Sequence, residues 1–179
     1  MGLRNVLDLY RKEFENKREE HYFHYTLDGY STQSTEEFFS RTAGFASGLE
    51  KLGVGGGDRV MLLTDNRPEW HLVDLAVVDL GAADVPVYGT LTPAQVAYQI
   101  KDSGSTVAVA ENAEQMSKFL QVRDECPDLT HLIQIDGPCA AGVLPLDEVI
   151  DSGRSGDAED LFWQRAEKIE AEDLLTLIY

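Results

Sequence analysis

Residues 58–88, DRVMLLTDNRPEWHLVDLAVVDLGAADVPVY, decide the architecture. Residues 58–64 hold an unbroken apolar run, Val60-Met61-Leu62-Leu63. Such a run suits a strand buried on both faces. A helical pattern follows. Asn66 is placed to cap it, and Pro68 falls in its first turn, where a missing N–H costs little. Trp70, Val73, Val77 and Leu80 share one face of that helix. Gly81 ends it, and residues 84–88 form a second apolar strand. Strand, helix and strand in this order predict a parallel pair joined by a helical crossover.

The same alternation extends in both directions. Residues 105–110 and 131–136 read as a third and a fourth strand. Thr92-Pro93-Ala94-Gln95 is a capping box with Pro at the first helical position. Met116, Phe119 and Leu120 mark the helix after the third strand. Upstream, residues 21–26 and 30–33 predict a hairpin around Asp28-Gly29. Ser34 stands three residues before Glu37, a second capping box. Phe38, Thr42, Phe45, Leu49 and Leu52 then line one helix face, which Gly53 closes. Downstream, residues 137–156 are richer in Gly and Pro, with a short helix near 147–150. Residues 157–171 are acidic and helical in part, with their charges facing water. Residues 174–179 are a final apolar strand. The predicted fold class is α/β, a mainly parallel sheet with flanking helices.

Composition narrows the function classes. The 179 residues are 43% hydrophobic and 26% charged, as in a folded globular chain. The formal charge of −17 disfavours nucleic acid as a partner and argues against a polybasic membrane patch. No apolar run approaches the roughly eighteen residues of a membrane span. The N-terminus has no secretory signal, so a cytoplasmic location is expected. Cys126 and Cys139 are expected to be reduced thiols.

Each chemistry-bearing group has a plain structural explanation. Gly53, Gly55, Gly56 and Gly57 follow a helix and feed a strand, the reverse of a phosphate cradle. His21 and His24 are three apart, on opposite faces of an extended chain, and lack further metal ligands. His71 and His131 suit capping or surface positions. Ser31, Ser34, Ser40 and Ser47 have turn or helix roles. Phe38, Phe45 and Trp70 suit core packing.

The order of the segments is similar to a known family. Leu52-Gly53-Val54 through Gly57-Asp58-Arg59-Val60 resembles a stretch of the adenylate-forming, AMP-binding acyl-CoA synthetases and ligases. Asn66-Arg67-Pro68-Glu69-Trp70 resembles a helix start seen especially in long-chain fatty-acid–CoA ligases. Residues 81–88 followed by Thr90, and the helix from Thr92 to Asp102-Ser103-Gly104, fit the same pattern. Residues 173–179 resemble the strand that leads into the family's phosphate loop. The likeness covers about residues 10–179, so residues 1–179 are expected to be the N-terminal part of a synthetase/ligase domain.

The resemblance implies a two-step reaction for a full-length parent enzyme. A fatty acid and ATP, with Mg²⁺, give an acyl-adenylate and pyrophosphate; coenzyme A then displaces AMP. Fatty acid, ATP and CoA are the implied partners, and peripheral membrane attachment of the full enzyme stays open. The family's phosphate loop, adenine segment, ribose-binding Asp and lysine have no matching positions here. No catalytic, cofactor-binding or metal-ligating residue is therefore assigned, and the piece alone is expected to be inactive and to bind none of these cofactors. Two alternatives remain at this point: an AMP-forming ligase for another carboxylic acid, and a stand-alone α/β interaction module without catalysis. The apolar run at 174–179 lacks a helix to cover it, which suggests truncation and marginal stability. Each uncovered large apolar side chain forgoes about 1.5–3 kcal/mol, against a usual domain stability of about 5–15 kcal/mol. Thermal unfolding followed by circular dichroism checks this expectation; a sharp transition well above roughly 60 °C is the contrary outcome.

Overall fold

The computed structural model describes residues 4–26 and 29–179. Its centre is a parallel sheet made of β3 (Arg59–Leu63), β4 (Ala83–Pro86), β5 (Val107–Ala110), β6 (His131–Gln134) and β7 (Leu144–Pro145), in the order β4-β3-β5-β6-β7. The four predicted strands are present with shifted ends: three are shorter, and the second begins one residue earlier, at Ala83, and stops at Pro86. Met61 pairs with Val85 on one side and Ala108 on the other, and Ala108 with Leu132. That register sends alternate residues to opposite faces. Val60, Leu62, Val107, Val109 and Ile133 enter one apolar core. Met61, Leu63, Ala108, Ala110 and Leu132 enter the other. An unbroken apolar run is what a strand with two buried faces requires.

Each core is roofed by helices. On the first face lie α1 (Leu7–Glu15), α2 (Thr35–Lys51), α3 (Pro68–Asp79), α6 (Leu146–Gly153) and α7 (Ala158–Ala166). On the second lie α4 (Pro93–Ser103) and α5 (Ala113–Val122). A hairpin of β1 (Tyr22–Thr26) and β2 (Gly29–Gln33) precedes α2, with Tyr25 opposite Tyr30. Asp28, half of the expected turn dipeptide, lies outside the described residues. Tyr22 stacks on Phe38 at 3.8 Å between ring centroids and ties the hairpin to the first core.

The helix ends show the chemistry read from the sequence, with one shift. Thr92 Oγ1 accepts from Gln95 N–H (3.4 Å), and Gln95 Oε1 accepts from Thr92 N–H (2.9 Å). Ser34 Oγ accepts from Glu37 N–H (3.1 Å), the first half of the other box. Gly53 (φ +93°) and Gly81 (φ +69°) leave their helices in the left-handed region, as expected. The cap of α3 is Arg67 rather than Asn66, and it makes no side-chain cap bond. Pro68 explains this. The residue before a proline is forced out of the helical region, and Arg67 is extended at φ −155°, ψ 165°.

Other differences trace to tertiary packing. Helix α2 is buried on more than one face, from Thr42 through Leu49 without a break, because α3, α6 and α7 all pack on it. Helix α7 is not simply a solvated face: Ala158, Phe162 and Ala166 are buried. Helix α1 and strand β7 were not anticipated. Residues 174–179 do not form a full strand. They meet the sheet at one parallel bridge, Asp84 to Thr176, on the outer edge of β4. Among the described residues, no helix is long and apolar enough to cross a membrane. Cys126 and Cys139 are both free thiols.

Two contacts hold the first helical layer together. In the first, α2 and α6 cross at glycines. A Cβ on Gly48 would fall on the Val149 carbonyl, and one on Gly153 on the Gly44 carbonyl and the Gly48 nitrogen. In the second, Arg165 of α7 donates from Nε to Asp79 Oδ2 of α3 (2.6 Å) and lies 3.3 Å from Glu50 of α2. Asp79 is fully buried. Burial raises its pKa to about 7, against the opposing pull of Arg165.

Gly48→Ala is expected to destabilise the chain by about 1–3 kcal/mol, because added atoms meet backbone rather than a movable side chain. Gly55→Ala, where a Cβ would meet nothing within 4 Å, is expected to stay within about 0.5 kcal/mol of the parent; urea unfolding measures both. Arg165→Met is expected to cost about 3–5 kcal/mol at pH 8, where it strands a buried carboxylate. A pKa raised on folding contributes stability that is greatest below the ordinary carboxylate value and fades as pH rises through about 7. The loss should therefore be smaller at pH 5, where Asp79 is protonated, and unfolding curves at the two pH values test this.

Candidate functional site: the crevice above β3 and β4

Strand β3 is followed by a helix on the first face, whereas β4 is followed by α4 on the second. Neighbouring strands whose exits leave toward opposite faces open a crevice at their C-terminal ends. In open α/β sheets this is where ligands bind. A crevice of about 620 Å³ lies there, between Thr64, Asp65 and Asn66 after β3 and Val87, Tyr88 and Gly89 after β4. Trp70 of α3 and Ile178 complete its walls. The bridge at Thr176 runs parallel to β4, so the end of the described chain arrives at the same rim.

The rim is fixed from outside the lining. Glu111, just past β5, accepts from Asp65 N–H (2.9 Å) and from Thr64 Oγ1 (3.3 Å) through Oε2. Its own carbonyl accepts from Asp136 N–H (2.7 Å), past β6. Arg67 donates to Glu69 Oε2 through Nε (2.7 Å) and to Asp136 Oδ1 through Nη2 (3.2 Å). Burial of the Arg67 side chain works against its charge, but Asp136 and Glu69 outweigh this and hold its pKa above the ordinary value. On the β4 side, Lys118 Nζ donates to the Gly89 carbonyl. Tyr88 O accepts from Leu91 N–H (3.1 Å), which shapes the turn into α4.

This arrangement has a definite chemical character. The lining offers two hydroxyls, those of Thr64 and Tyr88, an amide, a carboxylate and two aromatic rings, but no Lys, Arg or His. The nearby Arg67 and Lys118 are already engaged. Stabilising phosphate charge requires fixed cations or converging N–H donors, and the lining of this crevice supplies no cationic side chain. Among the described residues, no cluster of three or more His, Cys, Asp or Glu side chains has the arrangement of a metal site.

The other sequence candidates lie elsewhere. The glycine cluster turns α2 into β3, at the opposite end of the sheet from the crevice. There Gly57 N–H donates to Gly81 O (2.9 Å) and Gly55 N–H to Asp58 Oδ2 (2.9 Å). His21 sits 3.4 Å from Glu13, ahead of β1, while His24 is on β1. His71 packs edge-on against Trp70, and His131 opens β6. Phe38 and Phe45 are core residues. Trp70 is only partly so, since it also faces the crevice. The Glu111–Arg67–Asp136 system was missed. Its available signal was position alone: Glu111 directly follows β5, Asp136 comes two residues after β6, and Arg67 lies between β3 and α3.

Comparison with known proteins gives this geometry a family. A family model described as AMP-binding enzyme matches residues 11–179. The long-chain-fatty-acid–CoA ligase FadD15 of Mycobacterium bovis is 33% identical over 154 residues, 86% of this chain and 25% of that protein. The N-terminal domain of FACL13 from Mycobacterium tuberculosis superposes with a TM-score of 0.76 at 22% identity, over 98% of this chain and 41% of that one. The anthranilate CoA ligase AuaEII, in complex with anthranoyl-AMP, gives 0.75 at 23% identity, over 85% and 29%. These two likenesses concern the fold. The chain spans about a quarter of the length of the curated ligases that it matches first. With the family model covering nearly its whole length, the chain belongs to the AMP-binding enzyme family.

Proposed function

We propose that residues 1–179 are the N-terminal part of a long-chain fatty-acid–CoA ligase domain, acting in the cytoplasm. The whole enzyme would join a fatty acid to coenzyme A at the expense of ATP, through an acyl-adenylate. The observation that carries this reading is the 33% identity to a long-chain-fatty-acid–CoA ligase across 86% of the chain. The crevice above β3 and β4 supports it, because a segment continuing past Tyr179 would emerge at that rim.

The residues present do not fit ATP or its Mg²⁺. The crevice lining lacks cations, and the glycine cluster faces the wrong end of the sheet. Adenylation is therefore assigned to parts of the enzyme other than these residues. The role of this piece is to supply the sheet and to hold one rim of the working face through Glu111, Arg67 and Asp136.

A chimera tests this directly. These 179 residues replace the matching quarter of the Mycobacterium bovis ligase, and palmitoyl-CoA formation from palmitate, ATP, Mg²⁺ and CoA is followed by mass spectrometry. The chimera is expected to form the thioester, and a chimera that folds yet forms none overturns the reading. The 179 residues by themselves are expected to form no thioester. Robust ATP-dependent formation by them would overturn the scaffolding role.

A further inference from the structure

The hairpin that leads into α2 carries a surface that neither the cores nor the crevice uses. Successive side chains of a strand point to opposite faces. Tyr22 turns inward, where it stacks on Phe38 and packs against the first core. Phe23 and Tyr25 belong to the other face, and they are 57% and 69% exposed. Across the ladder, Thr32 stands opposite Phe23 and Tyr30 opposite Tyr25. Tyr30 is 73% exposed and meets the Tyr25 ring edge-on at 5.4 Å between centroids. The outer face of the hairpin thus presents three neighbouring rings to solvent. Contiguous apolar surface of this kind marks a contact with something else.

Charge narrows what that something is. The strands YFHYT and GYSTQ contain no Asp, Glu, Lys or Arg, in a chain of net charge −17 with 26% charged residues. Lys17 and Arg18, which precede the hairpin, pair with Glu36 and Glu13 at 3.4 Å each. Glu19 and Glu20, closer still, are exposed. The nearest cations in sequence are therefore engaged, and the net charge repels an anionic surface. A face without formal charge is complemented by one that is also neutral. Tyrosine rings add a second criterion, because an apolar body with a polar tip favours the layer where lipid headgroups meet acyl chains.

We propose that the outer face of the β1–β2 hairpin docks on an electrically neutral lipid bilayer, with Phe23, Tyr25 and Tyr30 set at the boundary between headgroups and acyl chains. The contact lies on the membrane and requires no spanning helix. Tyr22 on Phe38 couples the hairpin to the first core, so docking brings the folded body to the surface. The ligase reading gives this contact a use, since fatty acids partition into lipid, but the contact is argued from the hairpin alone.

Co-flotation of the 179-residue chain with phosphatidylcholine vesicles tests the proposal. The parent chain is expected to float with them at low and high salt alike, and to bind phosphatidylglycerol vesicles more weakly. Phe23→Ser is expected to weaken partitioning on the order of tenfold, and the triple variant Phe23→Ser, Tyr25→Ser, Tyr30→Ser to abolish flotation. Tyr98→Ser, at a 62% exposed ring on α4, is expected to leave it unchanged. Phe23→Trp is expected to retain flotation and to be quenched by brominated phosphatidylcholine beyond the quenching of Trp70 and Trp163 in the parent. Absence of flotation, flotation with phosphatidylglycerol alone, undiminished flotation of the triple variant, or no added quenching in Phe23→Trp overturns the proposal. Dimerisation that depends on the hairpin, without flotation, also overturns it and assigns the face to a second copy of this chain. No turnover is measured, so failure here is distinct from failure of the thioester-forming chimera.

Discussion

Burial of the parallel sheet on both faces is the constraint from which the rest follows. Five strands with apolar residues pointing both ways need two separate helical roofs. The chain meets that need by sending the crossover after β3 over one face and the crossover after β4 over the other. The divergence between those exits is the crevice. The place available for a ligand is thus a by-product of covering the core, and no special loop has to be invented for it.

The roof on the first face is assembled around α2, and two kinds of contact let three helices approach it. Gly44, Gly48 and Gly153 remove side chains where α2 and α6 cross. Close crossing of this sort maximises dispersion contacts in a densely packed interior. On the other flank, Arg165 reaches from α7 to Asp79 and Glu50. The stacked rings of Phe14 and Phe39, with Trp163 tilted against them, fill the space between α1, α2 and α7. Arg59 does similar work on the second face. Its guanidinium donates to the Ser103 and Gly104 carbonyls at 2.6 and 3.1 Å, closing the C-terminal end of α4 with positive charge.

Much of this was legible in the sequence because short-range physics determines it. The strands at 59–63 and 131–134 announce themselves by apolar runs, and the box at Thr92 by its spacing. Where long-range packing decides, the sequence is silent. The burial of α2 on several faces, and of Phe162 in a helix that reads as acidic, depends on partners brought in from other parts of the chain, about a hundred positions away for α6 and α7. Strand β7 has only two residues, too few to show a period. The cap at Arg67 shows two local rules competing, and the steric rule at Pro68 prevailed over the capping preference of Asn66. Within the site, the lining after β3 and β4 follows from topology. The Glu111–Arg67–Asp136 set joins residues far apart in sequence, and no spacing encodes it.

Glu111 fixes the backbone of the rim from behind, with the Thr64 hydroxyl tied to it, while Asn66 and Tyr88 face the opening. Shape and surface chemistry are therefore governed by different residues. Side chains on the open side are free to be exchanged without moving the framework that presents them. A chain built this way can diversify what its crevice favours through a few substitutions, while the sheet beneath inherits its geometry unchanged.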